Sequence, residues 1–143
     1  MPDPIAGELL FRNVPKGHFD PDAEEPTAAA VWPNKADGDL LSTDRDSQWT
    51  AEQSFTHRTE VLKKDSRGVV VLDADELTSD MEIGTVADPL VAGVDGAIAD
   101  NPAHALSDYS PLRSRDKTKQ REAREAILAK VLDRGWAHGP VKS

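Results

Sequence analysis

The chain has 143 residues, a formal net charge of −9, 38% hydrophobic and 30% charged residues, and no cysteine. These figures predict one domain with a small core under a heavily charged surface, and they exclude disulfides, thiolate nucleophiles and cysteine-ligated zinc. The acid excess argues against nucleic acid as a partner, because that affinity rests on Lys and Arg neutralising phosphates, and it suits encounter with a basic protein.

The N-terminal residues Met1-Pro2-Asp3-Pro4-Ile5 lack the basic and apolar regions of a secretory signal. No stretch approaches the length of a membrane span, so a cytoplasmic protein with no membrane partner is expected. Residues 1–143 read as one domain, with 1–7 and 137–143 as flexible tails. Residues 8–14 have the apolar and aromatic character of a strand, ended by Pro15 and Gly17. Residues 18–26, with two prolines and four acids, read as a solvated loop. Residues 27–33 have alanine in their favour as a helix, but Val31, Trp32 and the flanking prolines favour an extended segment, and a strand is predicted. A polar turn over 34–38 leads to a short extended piece over 39–45.

Thr50 and Gln53 have the spacing of a capping box, which predicts a helix over 51–63 leaning on the sheet by Phe55 and Leu62. The run Gly68-Val69-Val70-Val71-Leu72 is the strongest apolar stretch, rich in β-branched residues, and suits a strand covered on both faces at the centre of the sheet. Asp73 follows as the cap of a short helix over 74–79, with Glu76 placed to return the bond. Residues 81–87 alternate as a strand with one covered face, 90–101 read as a mobile loop, and His104 to Ser107 as an edge strand ended by Pro111. Residues 114–134 contain neither proline nor glycine, and Ala123, Ile127 and Val131 form an apolar band, which predicts a long terminal helix. Gly135 supplies its stop, with Trp136 folding back on Val131. The first turns carry Lys117, Lys119, Arg121 and Arg124, whose charges oppose the helix dipole. The expected architecture is α+β: a small mixed sheet packed by a mid-chain helix and a long C-terminal helix.

The order Arg12-Asn13-Val14-Pro15, Thr27 to Pro33, Leu41-Ser42, Pro102-Ala103-His104-Ala105 and Gly135-Trp136 resembles a widespread group of small uncharacterised bacterial proteins. That group shares an Arg-x-x-Pro start, a Leu-Ser segment, a Pro-x-His-Ala segment and a Gly-Trp end. The resemblance covers nearly the whole chain and implies one intact domain.

No phosphate-binding glycine loop, zinc-protease helix or serine elbow is present. His18 stands beside Asp20 and Asp22 without a second ligand pair, so neither a metal nor a cofactor is expected. His104, in small apolar surroundings, is a candidate acid, base or anion donor, and His57 needs only a structural role. Asp73 and Asp75 end a strand where open α/β sheets place ligand groups, although capping explains Asp73 fully. Arg12, Ser42 with Thr43, and Gln120-Arg121-Glu122 are broadly similar to the layout of ADP-ribosyl transferases, a nucleotide-binding enzyme reading with Arg12, Ser42 and His104 as catalytic candidates. The fit is damaged because Glu122 falls on a predicted helix rather than a strand. The preferred reading is an acidic, immunity-like module of a bacterial conflict or accessory system, meeting a basic protein through Asp20, Asp22, Glu24, Glu25, Asp44 and Asp46.

Overall fold

The computed structural model describes residues 3–141. The first strand, β1, is Leu9–Asn13; a turn of 3-10 helix at Lys16–His18 leads into a two-residue hairpin of β2, Phe19–Asp20, and β3, Glu25–Pro26. Residues expected as a strand at 27–33 form instead a 3-10 helix, Ala28–Val31. No strand pairs with it; its carbonyls are taken by side chains, with the Tyr109 hydroxyl donating to Val31 O at 2.9 Å and Arg12 Nε to Ala30 O at 2.9 Å. Strand β4, Leu40–Arg45, follows, then α1, Ala51–Thr56, which widens into a π-helical turn at His57–Val61. Both halves of the Thr50–Gln53 capping box form.

Beyond the connector come β5, Val69–Asp73, and α2, Ala74–Met81. Asp73 caps α2 as expected, accepting from the Asp75 and Glu76 amides, but Glu76 binds Arg134 Nη2 instead of returning the bond. Met81 belongs to α2, so β6 is the shorter Gly84–Ala87; β7 is His104–Asp108. The last two elements are α3, Ser110–Arg113, which takes Pro111 into its first turn, and α4, Lys117–Arg134, capped by Asp116.

The α+β class and the long terminal helix are as expected. The sheet differs from the mixed one predicted: all five strands run antiparallel in the order β5-β1-β4-β7-β6. Its central strand is β4, whose Ser, Thr and Asp content hides it in the sequence, and β7 is an interior strand rather than an edge. Strand β5 is nonetheless covered on both faces, with Val69, Val70, Val71 and Leu72 all buried. It stands at the edge, and the segment expected as the C-terminal tail closes it: Val69 N donates to His138 O at 2.9 Å, and Ala137 N to Val69 O at 2.8 Å. The N-terminal segment lies against the other edge, where Ile5 N donates to Thr85 O and Ala87 N to Asp3 O. Unpaired edge groups template strand addition, so covering both edges protects the monomer. Residues 1–2 and 142–143 of the expected tails lie outside the described residues.

Alternation and register give the sheet two faces. Leu10, Leu41, Val70, Leu72 and Ala105 join Ala123, Ile127 and Val131 of α4 in the core. Phe11, Asn13, Ser42, Asp44 and His104 lie on the other face, beneath α1 and the 90–101 loop. Trp136 packs beside Phe19, with ring centroids 6.0 Å apart, and donates its indole N–H to Glu24 O.

At Gly68 the backbone has φ +152°, and an added Cβ would meet His138 O at 2.7 Å and the Trp136 ring at 2.8 Å. Gly68→Ala must therefore push the C-terminal segment off β5, and a loss of about 3 kcal/mol in urea unfolding is expected from overpacking of this kind.

Candidate functional site

Strand β1 pairs with β4 through only two residue pairs, Leu10 with Arg45 and Phe11 with Asp44, whereas each strand continues in five-residue register with its other neighbour. Past Phe11 the two strands part. The Arg12 side chain, which belongs to the core face by alternation, fills the fork: Nε donates to Ala30 O at 2.9 Å and Nη1 to Ser42 O at 3.0 Å. Above the fork, between α1 and the 90–101 loop, lies a cleft of about 370 Å³.

A chain of buried polar groups fixes its floor. Asp44, only 8% exposed, accepts from Asn101 Nδ2 at 2.9 Å on one oxygen and from Ser54 Oγ at 2.5 Å on the other. Asn13 Nδ2 donates to Ser54 Oγ at 3.1 Å, and Ser66 Oγ to Asn13 Oδ1 at 2.8 Å. The loop is anchored at the same point, because Leu90 and Asn101 exchange backbone bonds at 2.9 Å and Asn101 Oδ1 accepts from Ala103 N.

The charge of the cleft is opposite to that of the chain. Arg12, Arg58 and Lys64 line it, Asp44 is the one carboxylate in the lining, and both of its oxygens are engaged. Among the described residues no carboxylate forms an ion pair with any of the three cations. Burial lowers the Arg12 pKa from its ordinary value, and the nearby Arg58 charge lowers it further; Arg58 is lowered by burial as well. His57, stacked on Trp49 with centroids 4.9 Å apart, is lowered by burial, and His18 by burial and then by Arg12 and Arg58. The Thr43 hydroxyl, in the lining and buried, has no hydrogen-bond partner. His104 Nδ1 lies 3.0 Å from both the carbonyl and a carboxylate oxygen of Asp88. Both partners are acceptors, so Nδ1 carries the proton and Nε2 is the basic nitrogen of the neutral ring.

The three catalytic candidates, Arg12, Ser42 and His104, come together here. Glu122 does not, because α4 packs on the opposite face of the sheet. Of the acids expected to meet a partner, Asp44 is buried in the cleft floor. Asp20, Asp22, Glu24 and Glu25 share the β2–β3 hairpin, and Asp46 is exposed and accepts from Leu9 N. Arg58, His57, Lys64 and Asn101 complete the cleft and carry no sequence signal of their own, since it is the fold that brings them beside Arg12 and Asp44. Among the described residues no group of three or more His, Cys, Asp or Glu is placed to hold a metal ion, and no helix is long and apolar enough to cross a membrane. Fold and site define a single-domain α+β protein with a cationic cleft on an acidic body. Comparison with protein-family models, with curated proteins and with solved structures gives no match.

Two predictions follow from the cleft floor and its histidines. Asp44→Ala leaves Ser54 and Asn101 without their charged acceptor and is expected to cost roughly 2–3 kcal/mol, seen as a lower urea midpoint with unchanged slope. His18 and His57 have folded pKa values below the unfolded value of about 6.5, so the neutral rings favour the folded state. Their contribution is complete above that value and is lost as pH falls through the folded values; the melting temperature is expected to drop between pH 7 and 5, and less steeply in His57→Gln.

Proposed function

We propose that this protein binds a phosphorylated small molecule of the nucleotide class in the Arg12 cleft. The observation that carries the reading is a guanidinium held in the strand fork by two backbone carbonyls, with no carboxylate in ion-pair contact among the described residues and a second arginine beside it. A half-buried cation carries a desolvation cost that an anionic partner offsets. An anionic group placed between Arg12 and Arg58 supplies the missing charge, and the Arg fork matches phosphate oxygens in geometry. Phe11 and His57 offer ring surface for a base, and the volume suits a ligand of this size.

The ADP-ribosyl-transferase-like alternative keeps Arg12 and Ser42 but loses its acid, because Glu122 is on the far face. Binding is therefore the supported part of that reading. His104, oriented by Asp88, is the group best placed to exchange a proton if a reaction follows.

At a hundredfold excess over Kd a ligand adds about 2.7 kcal/mol, a melting-temperature rise of roughly 8 °C for a chain of this size. Inorganic phosphate, AMP, ADP and NAD are the probes. At least one is expected to raise the melting temperature of the native chain, with the rise lost in Arg12→Gln; a panel with no rise, or a rise that survives the substitution, removes the reading.

The second reading is the acidic, immunity-like module. The hairpin favours it by gathering Asp20, Asp22, Glu24 and Glu25 at one place, while Asp44 no longer contributes. A pull-down at moderate salt is expected to recover a basic protein that Asp22→Lys loses; recovery of no basic protein leaves this reading without support.

A further inference from the structure

We propose a second binding site, for an anion carrying several phosphate groups, in the groove between Trp32 and the first two turns of α4. It shares no lining residue with the Arg12 cleft. The groove encloses about 490 Å³, and its lining contains four cationic residues and no carboxylate, in a chain with 26 acidic and 17 basic residues.

Arg113 and Arg124 both lie over the Trp32 indole, each 5.6 Å from the ring centroid. Stacking of this kind holds a guanidinium in one orientation before any ligand arrives. Arg113 is fixed further, with Nη2 donating to Pro33 O at 2.7 Å and Nε 2.8 Å from an Asp39 oxygen. Lys117, Arg121 and Arg124 differ from it in having no ion pair among the described residues. Steps of four and three residues put these three on one side of the helix, over an axial distance of about 10 Å. That span suits several linked phosphates rather than one.

The placement is costly to the helix itself. Cations in the first turns oppose the dipole, and like charges at i and i+4 repel; the Asp116 cap offsets part of this, and the first turn itself contains no acid. Local stability does not favour this arrangement of cations, whereas a bound polyanion relieves both penalties.

A row of phosphate groups occurs in a free oligophosphate or along the sugar–phosphodiester backbone of a single-stranded nucleic acid, and calorimetric titration separates the two. Sodium tripolyphosphate and a single-stranded decanucleotide are titrated into the native chain, into Lys117→Gln/Arg121→Gln, and into Arg12→Gln. Saturable binding of either probe at one site, weakened tenfold or more in the double variant and unchanged in Arg12→Gln, is the expected result. Lys117 and Arg121 are exposed and oppose the helix dipole, so the double variant should melt no lower than the native chain. Binding confined to tripolyphosphate assigns a small-molecule ligand. Binding of the oligonucleotide with a log–log salt slope near −2, as about three neutralised phosphates require, assigns the nucleic-acid backbone. No binding of either probe at millimolar concentration, or binding that survives the double substitution or is lost in Arg12→Gln, overturns the site.

Discussion

The buried hydrogen-bond chain from Asn101 through Asp44, Ser54 and Asn13 to Ser66 is the constraint on which the rest of the site depends. It ties the 90–101 loop, the central strand, the mid-chain helix, the first strand and the connector before β5 into one unit. Each member is short and polar, and each finds its partner far away in sequence. In a low-dielectric setting such a network is stabilising only when every member is satisfied, and a single break leaves two groups unpaired. This explains why α1 sits where it does: its apolar stripe is thin, and Ser54, fully buried, ties it to Asp44 and Asn13.

The network also explains the parting of β1 and β4. Asp44 faces Phe11 in the last pair of their short ladder, and its side chain is committed to α1 and the loop. Past that point the ladder has no further pair, and a long side chain spans the gap. Arg12 does so by bonding carbonyls on both sides, a use of the guanidinium fork that a lysine could not reproduce. The cost is a half-buried cation beside a second cation.

Local signals in the sequence mark the elements they control and no others. The Thr50 and Asp73 caps, the doubly covered Val69 to Leu72 strand and the apolar band of α4 are readable because each depends on residues within one or two turns. The central position of β4 is not, since Leu-Leu-Ser-Thr-Asp-Arg has neither the apolar run of a buried strand nor a clean alternation. Residues 27–33 mislead for a related reason: β-branched and aromatic residues next to proline look extended, but the carbonyls of this segment are claimed by Tyr109 and Arg12, both distant in sequence. Arg12, Ser42 and His104 each stand out along the chain, yet their meeting in one cleft, and the company of Arg58, Lys64 and Asn101, depend on strand order, which the sequence does not carry in any short window.

The 3-10 turn at Ala28–Val31 forms a shared partition. Ala30 O holds Arg12 on one side, while Ala29 and Trp32 face the groove on the other. A ligand that displaces this turn from one side alters the walls seen from the other, and by linkage any such effect is equal in both directions. Two occupants of this small domain would thus be thermodynamic neighbours without touching, sharing a wall one helical turn thick.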